Sequence, residues 1–238
     1  MDLVAIMVDS DEVHGDAAHD LLNNKFYAQL LQRAQSGEFL AIIAAPPCST
    51  FSVARHFRPG PPPVRNRQHP RGIPNQNPVR AKEAERANLL ITRTCAILTA
   101  AINTGSEFIL ENPADHGDPS NSYCFVHREH CPLWQADEIK TLKRLSSAQE
   151  ITFPLCALGH DYQKLTITLL CTPRLAASLR HLSKLRCNHV SHKQVGGINE
   201  DGKFTSGAAA RYPAKLNLIL AQSVAGLRET KYDEMDSS

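Results

Sequence analysis

Short apolar runs alternate with longer stretches of helical periodicity along this chain, and this alternation constrains the fold more than any other feature. Two apolar runs, LVAIMVD at 3–9 and FLAIIAA at 39–45, are typical of strands buried in a parallel sheet. Between them Phe26 and Leu30 stand at helical spacing, and Gly37 is a natural helix stop. The first 45 residues therefore predict a strand, helix, strand unit.

The same pattern continues downstream. Apolar residues at helical spacing predict a helix of about 24 residues that ends near Gly105, and EFILE at 107–111 then predicts a strand broken by Asn112-Pro113. EITFP and LTITLLC predict two more strands, and TPRLAASLRHLSKL and YPAKLNLILAQSVAGL two more helices. We expect an α/β layer fold with a mostly parallel sheet, in one domain over 1–228. The polar end of the chain predicts a disordered tail at 229–238.

Two stretches depart from the alternation. Residues 55–80 hold six arginines and seven prolines without an acidic residue, which predicts a stiff, basic, Pro-rich loop. Such a loop can contact phosphates, or it can be a solvated excursion without a ligand. Residues 114–145 predict an irregular insertion that contains the single tryptophan.

Charge and cysteine content exclude several classes of protein. A formal net charge of +2 is too mild to indicate nucleic-acid binding by itself. Seven irregularly spaced cysteines do not form the framework of a disulfide-stapled secreted domain and suit a reducing compartment. The N-terminus suits neither a signal peptide nor a membrane span, which predicts an intracellular protein of the cytoplasm or nucleus without membrane association.

Polar residues follow three of the predicted strands. Asp9 follows the first, Cys48 the second, and Glu111 ends the third. Ligands and chemistry gather at the carboxyl ends of strands in open parallel sheets, and a thiolate beside a glutamate suits covalent catalysis. Each residue also has a purely structural interpretation, because cysteine is often buried and a glutamate often forms a cap or an ion pair.

Two motifs add specificity. PPCSTFS at 46–52 resembles the Pro-Cys nucleophile loop of the cytosine-5 DNA methyltransferases, and LENP at 110–113 resembles their ENV segment. The resemblance implies a Rossmann-like, mostly parallel sheet of the methyltransferase type, flanked by helices. It implies that Cys48 attacks carbon 6 of cytosine and that Glu111 hydrogen-bonds the ring nitrogen and amino group. S-adenosylmethionine then supplies a methyl group to carbon 5, and the substrate is DNA, with RNA not excluded.

The resemblance also implies binding residues. Asp9 or Asp11 falls where the family holds the cofactor ribose, and Asp20 falls where it contacts the adenine, with Pro46 on the cofactor side. The family has a later basic motif that supports the flipped base, and Gln163 and Lys164 are the nearest match to it in this chain. The residues implied to contact the nucleic acid are Ser52, Arg55, Arg65, Arg67, Arg71, Asn112, Gln163 and Lys164.

The sequence departs from the family at its start. The family has a glycine-rich FxGxG loop after its first strand, and this chain begins at what corresponds to the second strand. The first strand and the loop for the methyl donor are therefore not recognisable. A second hypothesis follows, namely a catalytically inactive remnant that binds nucleic acid. A third is an unrelated thiol enzyme in which Cys48 works with a histidine such as His56.

Cysteines and histidines elsewhere raise the possibility of zinc. CFVHREHC and CNHVSH carry N and S ligands, but their spacings match no standard finger and the two halves are far apart in sequence. We therefore predict no metal, and take Cys95, Cys156 and Cys171 as core residues. The residues considered as zinc ligands are Cys124, His127, Cys187, His189 and His192.

Overall fold

A four-stranded mixed sheet with five α-helices forms the α/β fold in the part of the chain that the computed structural model describes, which comprises residues 3–10, 16–160, 166–191 and 212–236. The sheet order is β1-β2-β4-β3. Four of the five predicted strands are confirmed. The strands are β1 (Ala41–Ala44), β2 (Glu107–Pro113), β3 (Gln149–Phe153) and β4 (Ile167–Cys171).

The prediction of a mostly parallel sheet is wrong. Only β1 and β2 are parallel, and β4 runs antiparallel to both β2 and β3. The reason lies between β3 and β4, where the described residues include only one short 3-10 helix, Leu155–Leu158. A parallel neighbour requires a crossover that is usually a full helix, whereas a short connection reverses the chain. The carboxyl ends of β1, β2 and β3 consequently lie at one end of the sheet.

Helices cover both faces of the sheet. The predicted first helix is confirmed as α1, and Gly37 follows it at φ +72°, a conformation that favours glycine. The long predicted helix is confirmed as α2, with 26 residues that begin at Pro78 after the Asn77 cap. The α-helices are α1 (Asn24–Gln35), α2 (Pro78–Asn103), α3 (Asp137–Ser146), α4 (Pro173–Leu179) and α5 (Ala214–Asp236).

Two helices extend into segments that were predicted to be irregular. The end of the insertion at 114–145 forms most of α3, whose buried Ile139 and Leu142 are three residues apart on one face. The last helix, α5, continues to Asp236 and so runs through most of the predicted tail at 229–238.

The N-terminal apolar run differs from its prediction. Residues 3–9 were expected to form a buried strand, but the described segment 3–10 contains no strand, and its apolar side chains are exposed, Val4 by 84%. A strand forms only where a neighbouring strand satisfies its backbone groups. Among the described residues β1 pairs with β2 alone, so residues 3–9 have no strand to pair with. Asp9 therefore does not lie at the end of a sheet strand.

Alternate residues of the central strands pack into two cores. On one face Ile109, Leu169 and Cys171 pack with α4 and α5, and on the other Phe108 and Leu110 pack with α2 and α3. This period-two alternation carries through to the end of β2. Glu111 continues the face of Ile109, and Asn112 continues the face of Leu110.

In the described part of the chain, no helix has the length and apolar character needed to cross a membrane.

Candidate active site

Cys48 lies on the turn that follows β1. Its backbone, at φ −84° and ψ 1°, falls in the sparsely populated region between helix and strand where many active-site residues are found. The Cys48 carbonyl accepts a hydrogen bond from the Phe51 amide at 2.9 Å, which closes a single 3-10 turn. Thr50 and Phe51 are buried and anchor this turn, whereas Cys48 is half-buried. The thiol is thus positioned by rigid neighbours and remains partly accessible.

The end of β2 lies beside this turn. Ala44 of β1 pairs with Leu110 of β2 in a parallel register. Glu111 is the residue after Leu110, and Cys48 is four residues after Ala44, so both lie just beyond the same pair. The Asn112 side chain, 1% exposed, donates a hydrogen bond from Nδ2 to the Pro46 carbonyl at 2.9 Å. This bond joins the two motifs that were singled out in the sequence.

Glu111 has a partner that sequence reasoning missed. The Tyr212 hydroxyl donates a hydrogen bond of 2.5 Å to Glu111 Oε2, and the Glu111 residue is only 7% exposed. Burial, the Glu111 charge, this hydrogen bond and nearby Cys48 all raise the pKa of Tyr212. Tyr212 therefore stays neutral, donates to the carboxylate, and lies close enough to Cys48 to sense its charge. The three residues form one polar cluster at the carboxyl ends of β1 and β2.

The loop at 55–80 is folded onto the protein, so it is not a solvated excursion. Arg55 donates hydrogen bonds to the carbonyls of Ser49 and Pro62 and forms an ion pair with Glu83. Arg55 is buried, so its guanidinium ties the turn after Cys48 to the loop and to α2.

Arg65 is the internal anchor of the same loop. It is 2% exposed, donates to the Pro70 carbonyl, Asn88 Oδ1 and Thr50 Oγ1, and stacks over the Phe51 ring at 3.9 Å. Burial lowers the pKa of Arg65 to about 10. The sequence implied a phosphate contact for Arg65, but the structure places its guanidinium inside, against the Cys48 turn.

We expect Arg65→Met to lower the free energy of unfolding by about 2–4 kcal/mol, because buried Thr50 and half-buried Pro70 and Asn88 lose the donor to their acceptor atoms. Denaturant unfolding measures this loss. Arg58→Met is the matched control, since Arg58 is an exposed arginine of the same loop, and it should change the free energy by no more than about 0.5 kcal/mol. Equal effects of the two substitutions would contradict the anchoring role.

Two further loop arginines, Arg67 and Arg71, pair with acidic residues of the insertion. Arg67 contacts both carboxylate oxygens of Asp115, at 2.6 and 2.7 Å, and exposed Arg71 pairs with Glu138. Burial opposes ionisation of Asp115, but its contacts with His130, the Gly117 amide and Arg67 lower the pKa of Asp115 to about 2. These ion pairs fasten the basic loop to the insertion, and both arginines remain partly or largely exposed.

His56, the alternative partner of Cys48, contacts other histidines. Its ring stacks on the His127 ring with centroids 4.2 Å apart, and the His130 ring meets it edge-on at 6.3 Å. Burial and the charges of those two rings lower the pKa of His56 to about 4. His130 in turn hydrogen-bonds the Phe51 carbonyl at 2.8 Å. The histidine cluster thus contacts the Cys48 turn through Phe51, and the ring contacts of His56 favour a packing role for it.

Of the predicted cofactor residues, the structure describes Asp9, Asp20 and Pro46. Asp9 is exposed in the N-terminal segment, and the Asp20 carboxylate accepts a hydrogen bond from the Leu22 amide at 2.8 Å. Pro46 lies at the candidate site through its carbonyl. Ser52 caps the short helix Val53–His56. Asp11, Gln163 and Lys164 fall outside the described residues.

A scan against protein-family models, a search of the curated proteins and a search of the solved structures found no match to this chain.

Proposed function

We propose that the cluster of Cys48, Glu111 and Tyr212 is the cytosine pocket of a cytosine-5 methyltransferase-type enzyme acting on DNA. The observation that carries the proposal is the hydrogen bond from Asn112 Nδ2 to the Pro46 carbonyl, which brings the PPC and ENP motifs together at the end of two adjacent parallel strands. The proposal includes the methyltransferase type of α/β fold, with β1 and β2 as the strands that bear the motifs.

Cys48 acts as the nucleophile in this proposal. Its thiolate forms a bond to carbon 6 of a cytosine that has left the base stack, and the electrons of the 5,6 double bond move towards carbon 5 and the ring. S-adenosylmethionine supplies the methyl group that carbon 5 takes up. A base then removes the carbon 5 proton, the double bond re-forms, and Cys48 leaves as thiolate.

Glu111 stabilises the charge that develops on the ring. In this proposal Glu111 is protonated when cytosine is bound: its Oε1–H donates a hydrogen bond to the ring nitrogen, and Oε2 accepts one from the exocyclic amino group. Its burial strengthens these interactions because little water competes. Tyr212 is a positioning residue that fixes the carboxylate through Oε2. In this proposal exposed Arg58 contacts phosphate, while buried Arg55 and Arg65 keep the loop in its conformation.

The position of Asp9 and Asp20 favours a second candidate, a catalytically inactive relative that binds nucleic acid. Asp9 lies in the exposed N-terminal segment and not at the end of a sheet strand, where the resemblance places the ribose contact, and the Asp20 carboxylate accepts a hydrogen bond from the Leu22 amide. This candidate keeps the basic loop and the Cys48 pocket but has no methyl transfer.

Calorimetry with S-adenosylmethionine distinguishes the two candidates. We expect the full chain to bind S-adenosylmethionine with a Kd in the micromolar range, about −8 kcal/mol. S-adenosylhomocysteine, the product of methyl transfer, serves as the comparison and should compete for the same site. Absence of any binding heat, with DNA affinity retained, would overturn the enzyme proposal in favour of the inactive relative.

A further inference from the structure

A second cluster of reactive side chains lies away from Cys48. The ligand atoms of Cys156, Cys187 and His189 all lie within 4.8 Å of one another. The Cys187 Sγ and His189 Nδ1 atoms are 3.6 Å apart. The sequence analysis took Cys156 as a core residue, and it is indeed 5% exposed, but its sulfur faces a thiol and an imidazole from a different segment.

These three residues differ from the ligand set considered from the sequence. Cys124 lies elsewhere, with its sulfur 3.2 Å from Thr166 Oγ1, and the His127 ring stacks on His56. Among the described residues of the earlier set, only Cys187 and His189 contribute, joined by Cys156 from 31 residues before Cys187; His192 lies outside the described residues. The spacing of 156 to 187 matches no standard finger, which is why the sequence pattern did not indicate this combination.

The separation of the Cys187 and His189 ligand atoms suits a tetrahedral ion. With zinc–sulfur bonds near 2.3 Å and zinc–nitrogen bonds near 2.0–2.1 Å, a tetrahedral angle places sulfur and nitrogen about 3.5–3.6 Å apart and two sulfurs about 3.8 Å apart. The observed 3.6 Å between Cys187 Sγ and His189 Nδ1 matches the first value. Two thiols and an imidazole are also the ligand types that select zinc over magnesium or calcium.

The backbone around the cluster explains what an ion would do. Cys156 belongs to the 3-10 helix Leu155–Leu158, which is packed into the core after β3. Cys187 and His189 lie in irregular chain after the 3-10 helix Arg180–Lys184, where regular backbone pairing does not fix the segment. An ion would therefore tie a segment without regular secondary structure to the end of the sheet.

We propose that Cys156, Cys187 and His189 form a structural Zn²⁺ site that fastens the segment after Lys184 to the carboxyl end of β3. Each cysteine binds as thiolate, so two thiol protons leave as Zn²⁺ enters, and no electron is transferred. The fourth coordination position takes water or another ligand. The site lies at the same end of the sheet as Cys48 but follows β3, at the opposite edge of the described sheet from β1. It does not depend on the proposed methyl transfer.

Metal content and cobalt substitution of the full chain test this site. Protein purified in the presence of zinc and then dialysed should retain about one Zn²⁺ per chain with a Kd below about 1 µM. After removal of zinc with a chelator under reducing conditions, Co²⁺ should give visible bands of tetrahedral coordination and near-ultraviolet thiolate-to-cobalt absorption. Mass spectrometry of the metal and absorption titration measure these two results.

Substitutions assign the ligands. Cys187→Ala and His189→Ala should each weaken Zn²⁺ binding by at least about 100-fold, because loss of a ligand costs no less than loss of an outer-shell contact. Both positions are half-buried or exposed, so folding should survive, whereas Cys156→Ala also removes a buried side chain. His189→Cys should restore Co²⁺ binding with stronger thiolate absorption. Cys95→Ala and His181→Ala are the matched controls and should retain full affinity.

Two results would overturn the site. The first is Zn²⁺ affinity that survives both Cys187→Ala and His189→Ala, which would place bound zinc elsewhere. The second is the absence of stoichiometric Zn²⁺ from reduced, folded protein, whether or not Cys156 and Cys187 form a disulfide when the protein is oxidised. Neither result bears on S-adenosylmethionine binding, so failure of this site and failure of the proposed function are separable.

Discussion

Cys48→Ser is expected to reduce methyl transfer to cytosine-containing DNA by more than about 10³-fold, because the serine hydroxyl is a far weaker nucleophile than the thiolate. Serine is nearly isosteric, and the Cys48 backbone carbonyl still closes the turn with the Phe51 amide. Transfer of a labelled methyl group from S-adenosylmethionine measures the loss.

Nucleic-acid affinity separates this chemical role from a structural one. DNA binding by the Cys48→Ser variant should stay within about twofold of the parent, because phosphate contacts supply most of the affinity. Cys95→Ser, a substitution in the core side of α2, controls for loss of a thiol elsewhere. Retention of methyl transfer in Cys48→Ser would remove Cys48 from the mechanism, and equal losses in both variants would indicate a folding effect.

Glu111→Gln is expected to lower the rate of methyl transfer by about 100- to 1,000-fold, the usual cost of losing one preorganised group that stabilises charge. The substitution preserves shape, and the amide oxygen can still accept the hydrogen bond from Tyr212. Single-turnover methyl transfer measures the chemical step separately from binding.

Tyr212→Phe distinguishes the role of Glu111 from that of its partner. It removes the donated hydrogen bond while keeping the ring packed, so the free energy of unfolding should fall by about 1.5–3 kcal/mol, the range for hydrogen bonds to charged groups. Its loss of rate should be smaller than that of Glu111→Gln, since Tyr212 acts only through the carboxylate. A Glu111→Gln rate equal to that of the parent would contradict the stabilising role of Glu111.

Local pattern predicts the strands and helices of this chain better than it predicts their arrangement. The runs around Ile42 and Ile109 are short, apolar and bounded by glycine or proline, and both form strands. Residues 3–9 have the same local character but no strand partner among the described residues, so propensity alone misleads there. The direction of β4 depends on the short connection from β3. The order of strands and helices along the sequence does not by itself predict that direction.

Sequence predicts the parts of the candidate site that lie in local motifs and misses the part that comes from a distant segment. Cys48 and Glu111 are recognisable because each lies in a compact motif, and the Asn112 contact with Pro46 follows once both motifs end parallel strands. Tyr212 was missed because it is 101 residues from Glu111 in sequence and stands outside any motif. Only the packing of α5 against the sheet brings it to the carboxylate.

The basic loop shows the same limit. Composition indicates positive charge at 55–80, but charge alone cannot tell an arginine that meets solvent from one that organises a loop. Arg65 finds three acceptors and an aromatic ring within the protein, whereas Arg58 is exposed. Proline-rich loops expose many backbone carbonyls, and a buried arginine satisfies them with its five donors. Sequence therefore predicts the presence of the loop, whereas the role of each arginine is known only from the folded structure.

Covalent trapping on DNA that contains 5-fluorocytosine tests the central claim most directly. Fluorine replaces the carbon 5 proton that must leave, so the bond between the nucleophile and carbon 6 should persist after methyl transfer. We predict a protein–DNA adduct that forms only with S-adenosylmethionine and maps to the peptide containing Cys48, and that is absent from Cys48→Ser. An adduct on another residue, or no adduct from protein that binds both DNA and S-adenosylmethionine, would contradict the assignment of Cys48 as nucleophile.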